Sequence, residues 1–351
     1  MIVTVTQIEN IYWDLVNAYE QAQVSEQSLA FAQQSLDTAK KQLQLDSIPE
    51  MDVLRAEAEV SRRDQDLTVA RTTLQLQELL IKNALTRRLD DPVLEAMPVV
   101  PTDRLESTQP VASQAVQDLI AQALQDRTEL AESDIDLVNR QISRKAVTNA
   151  LLPSLSLVGF YGGSGLAGPL NPNYNPVLAG APNTSTVPTN FAGALGNAFN
   201  NSSPDYYIGL NLNIPIRNRV AKADQYRSEL EYRQAELRRE QLKKQIRIEV
   251  RNAQYALEQS RARVESALKG RDLAERTFEI TKKEQDLGAG SSYQTMTAQR
   301  DLSVAELDLV TARTIYEKSR VELDRATGAT LERNGVRIQD AVTGTVTALS
   351  P

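Results

Sequence analysis

Residues 66–72 read Asp-Leu-Thr-Val-Ala-Arg-Thr, and residues 308–314 read Asp-Leu-Val-Thr-Ala-Arg-Thr. The two stretches lie 242 positions apart, and at that offset residues 1–88 fall on residues 243–330 without a gap. Identical residues recur along the whole of this alignment. The chain therefore contains a two-fold internal repeat, which predicts a repeated architecture rather than a local motif.

Within each copy, small and apolar residues recur at alternating steps of three and four positions. The pattern covers residues 8–43 and 53–84 in the first copy, and residues 250–278 and 295–326 in the second. A period of 3.5 residues is typical of coiled coils, and the many alanines in it allow paired helices to approach closely. Each copy is predicted to be an antiparallel helical hairpin with arms of about 40 residues, roughly 60 Å long. A purely structural coiled coil would show the same pattern.

Each hairpin is interrupted where the chain has to reverse direction. The interruption is Asp-Ser-Ile-Pro-Glu at residues 46–50 in the first copy and Gly-Ala-Gly-Ser-Ser at residues 288–292 in the second. Glycine ends a helix, and serine or aspartate can cap the next one. Pro49 stands where a first-turn proline is tolerated. These segments are predicted to be the tip turns of the two hairpins.

The composition excludes several classes of function. The 351 residues include no cysteine and no histidine, which removes the usual zinc sites, thiol nucleophiles and imidazole bases. The formal net charge is −7, and acidic and basic residues alternate along the helices, so nucleic-acid binding is not expected. The sequence has no run of about 20 apolar residues, so no transmembrane helix is predicted. The acidic residues follow helical surface spacing, so no enzyme, metal site or cofactor is expected.

Two other runs show the two-residue alternation of β-strands. They are residues 151–161 and 206–215, each close to the length of about 10 residues that a tilted transmembrane strand needs. A soluble edge hairpin would show the same alternation, so both alternatives stay open. Residues 162–204 contain no charged residue and are rich in Gly, Asn, Pro, Ala and Thr. We expect two strands joined by a long irregular loop.

The alternation divides the second run between two faces. One face carries Ile208, Leu210, Leu212 and Ile214, and the other carries Tyr207, Gly209, Asn211 and Asn213. The first set is purely aliphatic, whereas the second is polar or small. The predicted sheet is therefore amphipathic across its thickness.

Five short motifs resemble motifs of the TolC family of outer-membrane efflux proteins, and they follow one another along the chain in the order that the family has. The resemblance covers essentially the whole chain. The family's tip-and-return signature is similar to residues 46–56 and again to residues 288–298. Its Arg-Pro-Glu-Leu element resembles Arg-Thr-Glu-Leu at residues 127–130. The Leu-Pro-Ser-Leu that begins a strand is found at residues 152–155, and the Ile-Pro-Ile that follows a strand at residues 214–216.

The resemblance implies a mainly α fold with a small β part. It consists of long antiparallel coiled-coil helical hairpins in two internal repeats, an α-barrel of TolC type, plus one transmembrane β-strand pair. The implied segments are a hairpin completing repeat 1 (1–90), a Pro-rich connector with a short equatorial helix (91–130), a helix of repeat 2 (131–152), two outer-membrane strands with a long uncharged loop (153–216), the long hairpin of repeat 2 (217–330) and a C-terminal tail (331–351).

The resemblance implies a passive export channel in the outer membrane that extends into the periplasm. Such a channel subunit serves a tripartite efflux or type I secretion system and exports small molecules or proteins. The implied partners are two further copies in a homotrimer, outer-membrane lipid, a periplasmic adaptor (membrane fusion protein) and an inner-membrane pump of RND, ABC or MFS type. The alternative is a soluble periplasmic coiled-coil adaptor or scaffold, which would need flanking β domains around a single hairpin.

The resemblance also implies which residues carry the function. The tips that contact the adaptor are Asp46, Ser47, Ile48, Pro49, Glu50 and Asp52 in the first copy, and Gly288, Ala289, Gly290, Ser291, Ser292, Tyr293 and Gln294 in the second. The strand residues expected to face lipid are Ile208, Leu210, Leu212 and Ile214, and those expected to face the lumen are Asn211 and Asn213.

Some members of the family narrow the periplasmic entrance with charged residues on the second tip turn. The matching positions here are Gly290, Gln294 and Thr297, all uncharged, so a charged gate of that type is not expected. In the first tip turn, Asp46 replaces the family's glycine and Pro49 replaces its Ser or Thr.

The family pattern also has a signal sequence, a first long helix and a first strand pair before the region that matches residue 1. We therefore expect this chain to be an N-terminally incomplete member, with the end of repeat 1 and all of repeat 2. Family trimers use four strands from each chain, whereas this sequence supplies two, and open strand edges are not tolerated in lipid. The upstream reading frame is expected to encode the remaining elements.

Overall fold

The structure, a computed structural model, describes residues 1–45, 47–86, 97–105, 115–169, 188–200 and 204–337. Several predictions lie outside these residues. They concern Asp46 of the first tip turn, residues 91–96 and 106–114 of the connector, residues 170–187 and 201–203 of the loop, and residues 338–351 of the tail.

The described residues form eight helices and two strands. In chain order these are α1 Ile2–Gln44, α2 Glu50–Leu85, α3 Val116–Asp126, α4 Thr128–Asn149, β1 Ser154–Gly163, α5 Phe191–Phe199, β2 Pro204–Asn213, α6 Arg219–Asp286, α7 Ser292–Thr327 and α8 Thr330–Arg333. The chain divides into two compact units, which are Met1–Ser133 with Arg238–Pro351, and Asp134–Leu237. None of the described helices is both long enough and apolar enough to cross a membrane.

The first unit is built on helices that pair along the predicted 3.5-residue pattern, whose small and apolar positions form the helical seams. Every small or apolar position of the 3.5-residue pattern is buried or partly buried in the structure. In the first copy, Ala39 of α1 packs with Val53 and Ala56 of α2, and in the second, Val264 of α6 packs with Ala312 of α7. The two predicted hairpins are therefore confirmed, and their narrow stripes of small residues account for the close pairing.

The short helix α3 closes the first unit beside the long helices. Its buried Leu119 and Ala123 form one cluster with Ile246 and Val250 of α6 and with Ala326 of α7. This is the short helix that the resemblance implies within residues 91–130, and its apolar face is the one that is buried.

The Arg-Thr-Glu-Leu element fixes the start of α4. The Arg127 guanidinium is buried and donates hydrogen bonds to Glu249 of α6 at 2.5 Å and to Glu129 at 3.1 Å. The hydrogen bond from Arg127 holds the pKa of the Glu129 carboxyl below its usual range. Leu130 completes the apolar cluster around α3. The motif is thus a structural connection between α4 and the long helix of the second hairpin.

The second unit contains the strand pair and the helical segments that lead to and from it. Arg140 of α4 pairs with Glu231 of α6 at 3.3 Å, and Arg144 pairs with Glu229 at 3.2 Å. These pairs are half exposed, so each contributes little to stability. They show that α4 and α6 run side by side at the base of the strands within this unit.

Helix α5 corrects the prediction of an irregular loop between the strands. Phe191–Phe199 is helical, and its N-cap is Asn190, whose side chain accepts a hydrogen bond from the Gly193 N–H at 2.8 Å. The asparagine cap and the apolar run after it were the available signals. Gly193 and Gly196 lower helix propensity, and they hid this helix in the sequence.

Candidate membrane strands and tip turns

The two strands form an antiparallel sheet with one apolar face. The pairing runs from Ser154 opposite Asn213 to Gly163 opposite Pro204. Residues directly opposite each other share a face, so Leu210 and Leu212 of β2 lie beside Leu157 and Leu155 of β1. Ile208 continues this face, opposite Gly159.

The other face of the sheet is polar along half of its length. Asn211 lies opposite Ser156 and Asn213 opposite Ser154. The structure therefore separates the two predicted sets of β2, with Asn211 and Asn213 on the face opposite the leucines. Ile214 lies one residue beyond the end of β2.

The apolar face is exposed along β2. Ile208 is 78% exposed and Leu210 is 73% exposed. A continuous exposed apolar surface of this kind marks a site of interaction with another apolar phase or partner. Each strand has 10 residues, which is about 33 Å at 3.3 Å per residue. With the tilt of membrane strands, this matches an apolar band of about 25 Å.

Four aromatic residues lie at the sheet end that is distant in sequence from α4 and α6. Tyr161 lies opposite Tyr206 on the apolar face, and Phe160 lies opposite Tyr207 on the polar face. Sequence reasoning did not single out these pairs as functional. Their position at one end of each alternating run was the available signal, since Tyr and Trp are typical of membrane–water interfaces.

The second tip turn is a tight, hydrogen-bonded connection. Gly288 has φ of 76°, a left-handed conformation that favours glycine. The N–H groups of Ala289 and Gly290 both donate to the Glu284 carbonyl, at 2.9 and 3.0 Å. A β-carbon at Gly290 would lie 2.9 Å from the backbone nitrogen of Gln285. Both glycines are therefore required by the turn itself.

The start of α7 is capped as the sequence predicts. Ser291 is the N-cap residue and forms a capping box with Gln294. The Ser292 hydroxyl accepts a hydrogen bond from Gln285 at 3.0 Å, which ties the two arms together. Gly288, Ala289 and the residues 291, 293 and 294 remain exposed, and the uncharged Gln294 is engaged in capping.

The first tip turn is built differently. Ser47, Pro49 and Glu50 are exposed, whereas Ile48 packs against the cluster around Ala39. Pro49 is the N-cap residue of α2, one position before the first helical turn where it was expected. Asp52 is partly buried and pairs with the guanidinium of Arg55 at 3.1 Å. Of the predicted first-tip contacts that are described, only Ile48 and Asp52 turn partly inward.

The structure brings the two hairpins together behind their tips. The Arg55 guanidinium of α2 lies over the Tyr293 ring of α7, 5.7 Å from its centroid. A cavity of about 310 Å³ beside this contact is lined by both helices and includes Arg62, Met296 and Arg300. Two of its three arginines pair with carboxylates, Arg55 with Asp52 and Arg300 with Asp301, so the groove between the hairpins carries charges of both signs near the tips.

Two exposed leucines at the tips were missed by the sequence analysis. Leu45 is 76% exposed at the end of α1, and Leu287 is 84% exposed at the end of α6. They occupy equivalent positions of the repeat, and this coincidence was the available signal. Each tip therefore exposes a leucine directly before its turn.

The comparisons with known proteins identify the class of this chain. The sequence model of the outer membrane efflux protein family matches residues 119–329, from α3 through α7. The chain therefore belongs to the outer membrane efflux protein family. The mainly helical fold with a small sheet, predicted from the sequence, is confirmed, and a soluble adaptor is not favoured. No curated protein matches the chain.

Solved structures share the fold at low sequence identity. CusC, which forms a transmembrane channel, has a TM-score of 0.68 and 19% identity, covering 93% of this chain and 68% of CusC. The outer membrane protein VceC from Vibrio cholerae has a TM-score of 0.68 and 15% identity, covering 93% and 70%. The CmeC outer membrane channel of Campylobacter jejuni has a TM-score of 0.66 and 18% identity, covering 99% and 67%.

Proposed function

We propose that this chain is a subunit of a homotrimeric exit duct in a tripartite efflux or type I secretion system. The duct passes small molecules or proteins passively across the periplasm and the outer membrane. The observation that carries this proposal is the exposed apolar face of the strand pair, in a chain that also forms long helical hairpins. Ile208, Leu210, Leu212 and Ile214 face lipid, and Asn211 and Asn213 face the aqueous lumen.

The facing of the strands is tested with two neighbouring substitutions. Leu210→Arg places a charge in the apolar band and is expected to cost outer-membrane assembly about 2–4 kcal/mol at the midplane. Asn211→Arg leaves the lipid face unchanged, so it should assemble normally and alter channel conductance. Quantification of folded protein in outer-membrane fractions compares the two. Equal assembly of both variants would contradict the facing.

The helical hairpins extend into the periplasm in this proposal, and a second copy covers the open side of α2. Leu54, Leu76 and Leu79 of α2 are all exposed in the single chain. Leu76 and Leu79 are one helical turn apart, so a second copy that packs there would bury both. Residues 1–90 and 217–330 form the duct wall, residues 91–130 its equatorial belt, and residues 153–216 its membrane part.

The tip turns dock onto a periplasmic adaptor, itself bound to an inner-membrane pump of RND, ABC or MFS type. They lie at the ends of the paired hairpins, and each presents an exposed leucine, Leu45 or Leu287, beside exposed polar residues. The groove lined by Arg62 and Arg300 gives the two tips a shared surface. The first tip, with Pro49 and Glu50, and the glycine-rich second tip therefore offer an adaptor two different grooves.

Adaptor docking is tested by changing the second turn without changing the hairpin. Gly288→Pro is incompatible with the positive φ of this residue and removes the N–H that donates to the Gln285 carbonyl at 2.9 Å. Export should be abolished while trimer formation and strand insertion remain. Cysteines at Ser47 and Ser291 should cross-link to an adaptor in cells. Cross-linking from Thr102 but from neither tip position would contradict tip docking.

A further inference from the structure

Helix α5 carries an exposed apolar stripe that the proposed export duct does not explain. Phe191, Leu195 and Phe199 are spaced by four residues, so they lie on one side of the helix. Phe191 is 79% exposed and Phe199 is 81% exposed. Two phenylalanines this exposed on a nine-residue helix are unusual in contact with water. They indicate that the helix lies against an apolar surface.

The helix packs on the apolar side of the strand pair. Gly163 alternates with Leu157 and Tyr161 along β1, so it belongs to the apolar face. A β-carbon at Gly163 would lie 2.0 Å from the Ala198 carbonyl oxygen of α5. A β-carbon at Gly165 would meet the Ala194 carbonyl at 1.8 Å. The close contact is therefore possible only because residues 163 and 165 are both glycine.

Helix α5 contacts the strand pair at the end that carries the four aromatic residues. Gly163 lies two residues beyond Tyr161, which is opposite Tyr206 on the same face. The helix side that meets β1 carries Ala194 and Ala198. The stripe of Phe191, Leu195 and Phe199 lies about 100° further around the helix, the rotation between successive residues. It is thus displayed beside the apolar face and is not covered by it.

The surroundings of the stripe favour lipid over an aqueous or charged partner. Residues 162–204 include no charged side chain, so this segment itself cannot form an ion pair with a protein partner. Interfacial helices insert an apolar side into the boundary between headgroups and acyl chains, to a depth of about 5–10 Å. The helix is already folded, with Asn190 as its cap, so insertion requires no ordering of the chain.

We infer that α5 is an interfacial anchor that lies in the outer headgroup region of the membrane. Phe191, Leu195 and Phe199 insert among the upper parts of the acyl chains, level with or just beyond Tyr161 and Tyr206. This inference rests on the proposed membrane insertion of the strands. It adds a lipid-binding element to the loop that joins them.

Tryptophan fluorescence in brominated lipid tests the depth of α5. Trp13 is the only tryptophan, so Trp13→Phe provides a silent background for the full chain in phosphatidylcholine vesicles. Phe199→Trp should lose fluorescence most strongly when bromine is near the headgroup, because bromine quenches at contact. Asn200→Trp, the next residue on another side of the helix, is the matched control and should lose much less.

Two strand variants separate this inference from the proposed function. Leu210→Trp should be quenched best by bromine deep in the acyl chains, whereas Asn211→Trp should resist quenching. If Leu210→Trp is quenched and Phe199→Trp is not, the anchor is wrong and the channel stands. If Leu210→Trp also resists quenching, the proposed membrane insertion fails. A blue-shifted but unquenched Phe199→Trp would mean burial against protein and would overturn the anchor.

A glycine pair on β1 provides a second test. Gly163→Val would collide with the backbone of Ala198, whereas a β-carbon at Gly159 would meet no atom within 4 Å. In the Phe199→Trp background, Gly163→Val should shift the quenching profile because α5 is pushed away from the sheet. Gly159→Val should leave the profile unchanged. The same profile in both variants would contradict the contact that positions the anchor.

Discussion

Helices α2 and α7 are the same element in the two repeats, yet they lie in different environments. Each has 36 residues, and Glu50–Leu85 shifted by the repeat offset coincides with Ser292–Thr327 at both ends. Five residues of α2 are buried, against thirteen of α7. An identical repeat position is therefore no guarantee of an identical environment.

The cause of the difference is the number of helices around each one. Helix α7 packs on α1 through Val310 and on α6 through Ala312 and Tyr316. Helix α2 packs mainly on α1, so one side of it stays open. Leu79 of α2 is 46% exposed, whereas its repeat equivalent in α7, Val321, is 6% exposed. Within this family of channels, we interpret the open side of α2 as the surface left for another copy.

The largest expected effect comes from a charge placed at one repeat position in each helix. Ala312 is fully buried, and its equivalent Ala70 is only partly buried. Ala312→Asp should lower the free energy of unfolding by about 3 kcal/mol or more, because an unpaired carboxylate is buried. Ala70→Asp should cost less than about 1 kcal/mol. Thermal unfolding monitored by circular dichroism measures both, and equal losses would contradict the difference in packing.

A second pair should behave alike, because both members face inward. Leu67 is 5% exposed and its equivalent Leu309 is 7% exposed. Leu67→Ala and Leu309→Ala should each cost about 2–4 kcal/mol through lost burial and a residual cavity. The same unfolding measurement applies. A negligible cost for Leu67→Ala alone would mean that α2 is loosely packed even on its α1 side.

The open side of α2 should matter for assembly rather than for folding. Leu79→Ser removes a half-exposed leucine, so the helix content of the chain should be unchanged. Trimer stability should fall by about 1–2 kcal/mol for each copy, in proportion to the apolar area no longer buried. Sedimentation of detergent-solubilised protein measures the fraction of trimer. Gln75→Ser, a polar change on the same helix, is the control and should leave that fraction unchanged.

The smallest expected effect is the pH dependence that Glu317 of α7 gives to the stability of the chain. Burial raises the pKa of Glu317 above its ordinary value of 4.5, against the opposing charges of Arg320 and Arg333. The protonated form is favoured in the folded chain. Its stabilisation is present below pH 4.5 and is lost as the pH rises through the raised pKa.

The first repeat indicates how to remove this effect. The repeat equivalent of Glu317 is Gln75, which is exposed. Glu317→Gln should therefore stabilise the chain at pH 7 by less than about 1 kcal/mol, and the gain should shrink towards pH 4.5. Chemical denaturation at the two pH values measures this. A destabilised variant at pH 7 would show that the ion pair of Glu317 with Arg320, at 2.9 Å, outweighs burial.

Much of the fold could be predicted because the helices and strands follow from the local periodicity of apolar residues. The 3.5-residue pattern predicted all the seam positions, and the two-residue pattern predicted which side of β2 carries Leu210 and Asn211. The glycines of the second turn were also predictable, since Gly288 needs a positive φ.

What could not be predicted depends on contacts between distant parts of the chain. Ala70 and Ala312 are the same residue in nearly the same local sequence, so no local rule distinguishes their burial. Ala312 packs on Val264 of α6, which is distant from it in sequence. Helix α5 was not predicted because Gly193 and Gly196 weaken its helix signal, and because its contact with Gly163 lies outside its own segment. The medium around the strands is likewise set by partners outside the chain.

The number of copies in the assembled channel tests the central claim most directly. Native mass spectrometry of the protein extracted from bacterial outer membranes in mild detergent measures that number without labels. A mass of three copies is expected, since the open side of α2 around Leu79 has to be covered by a neighbouring chain. A mass of a single copy from correctly folded, membrane-extracted protein would contradict the proposal that another chain closes this surface.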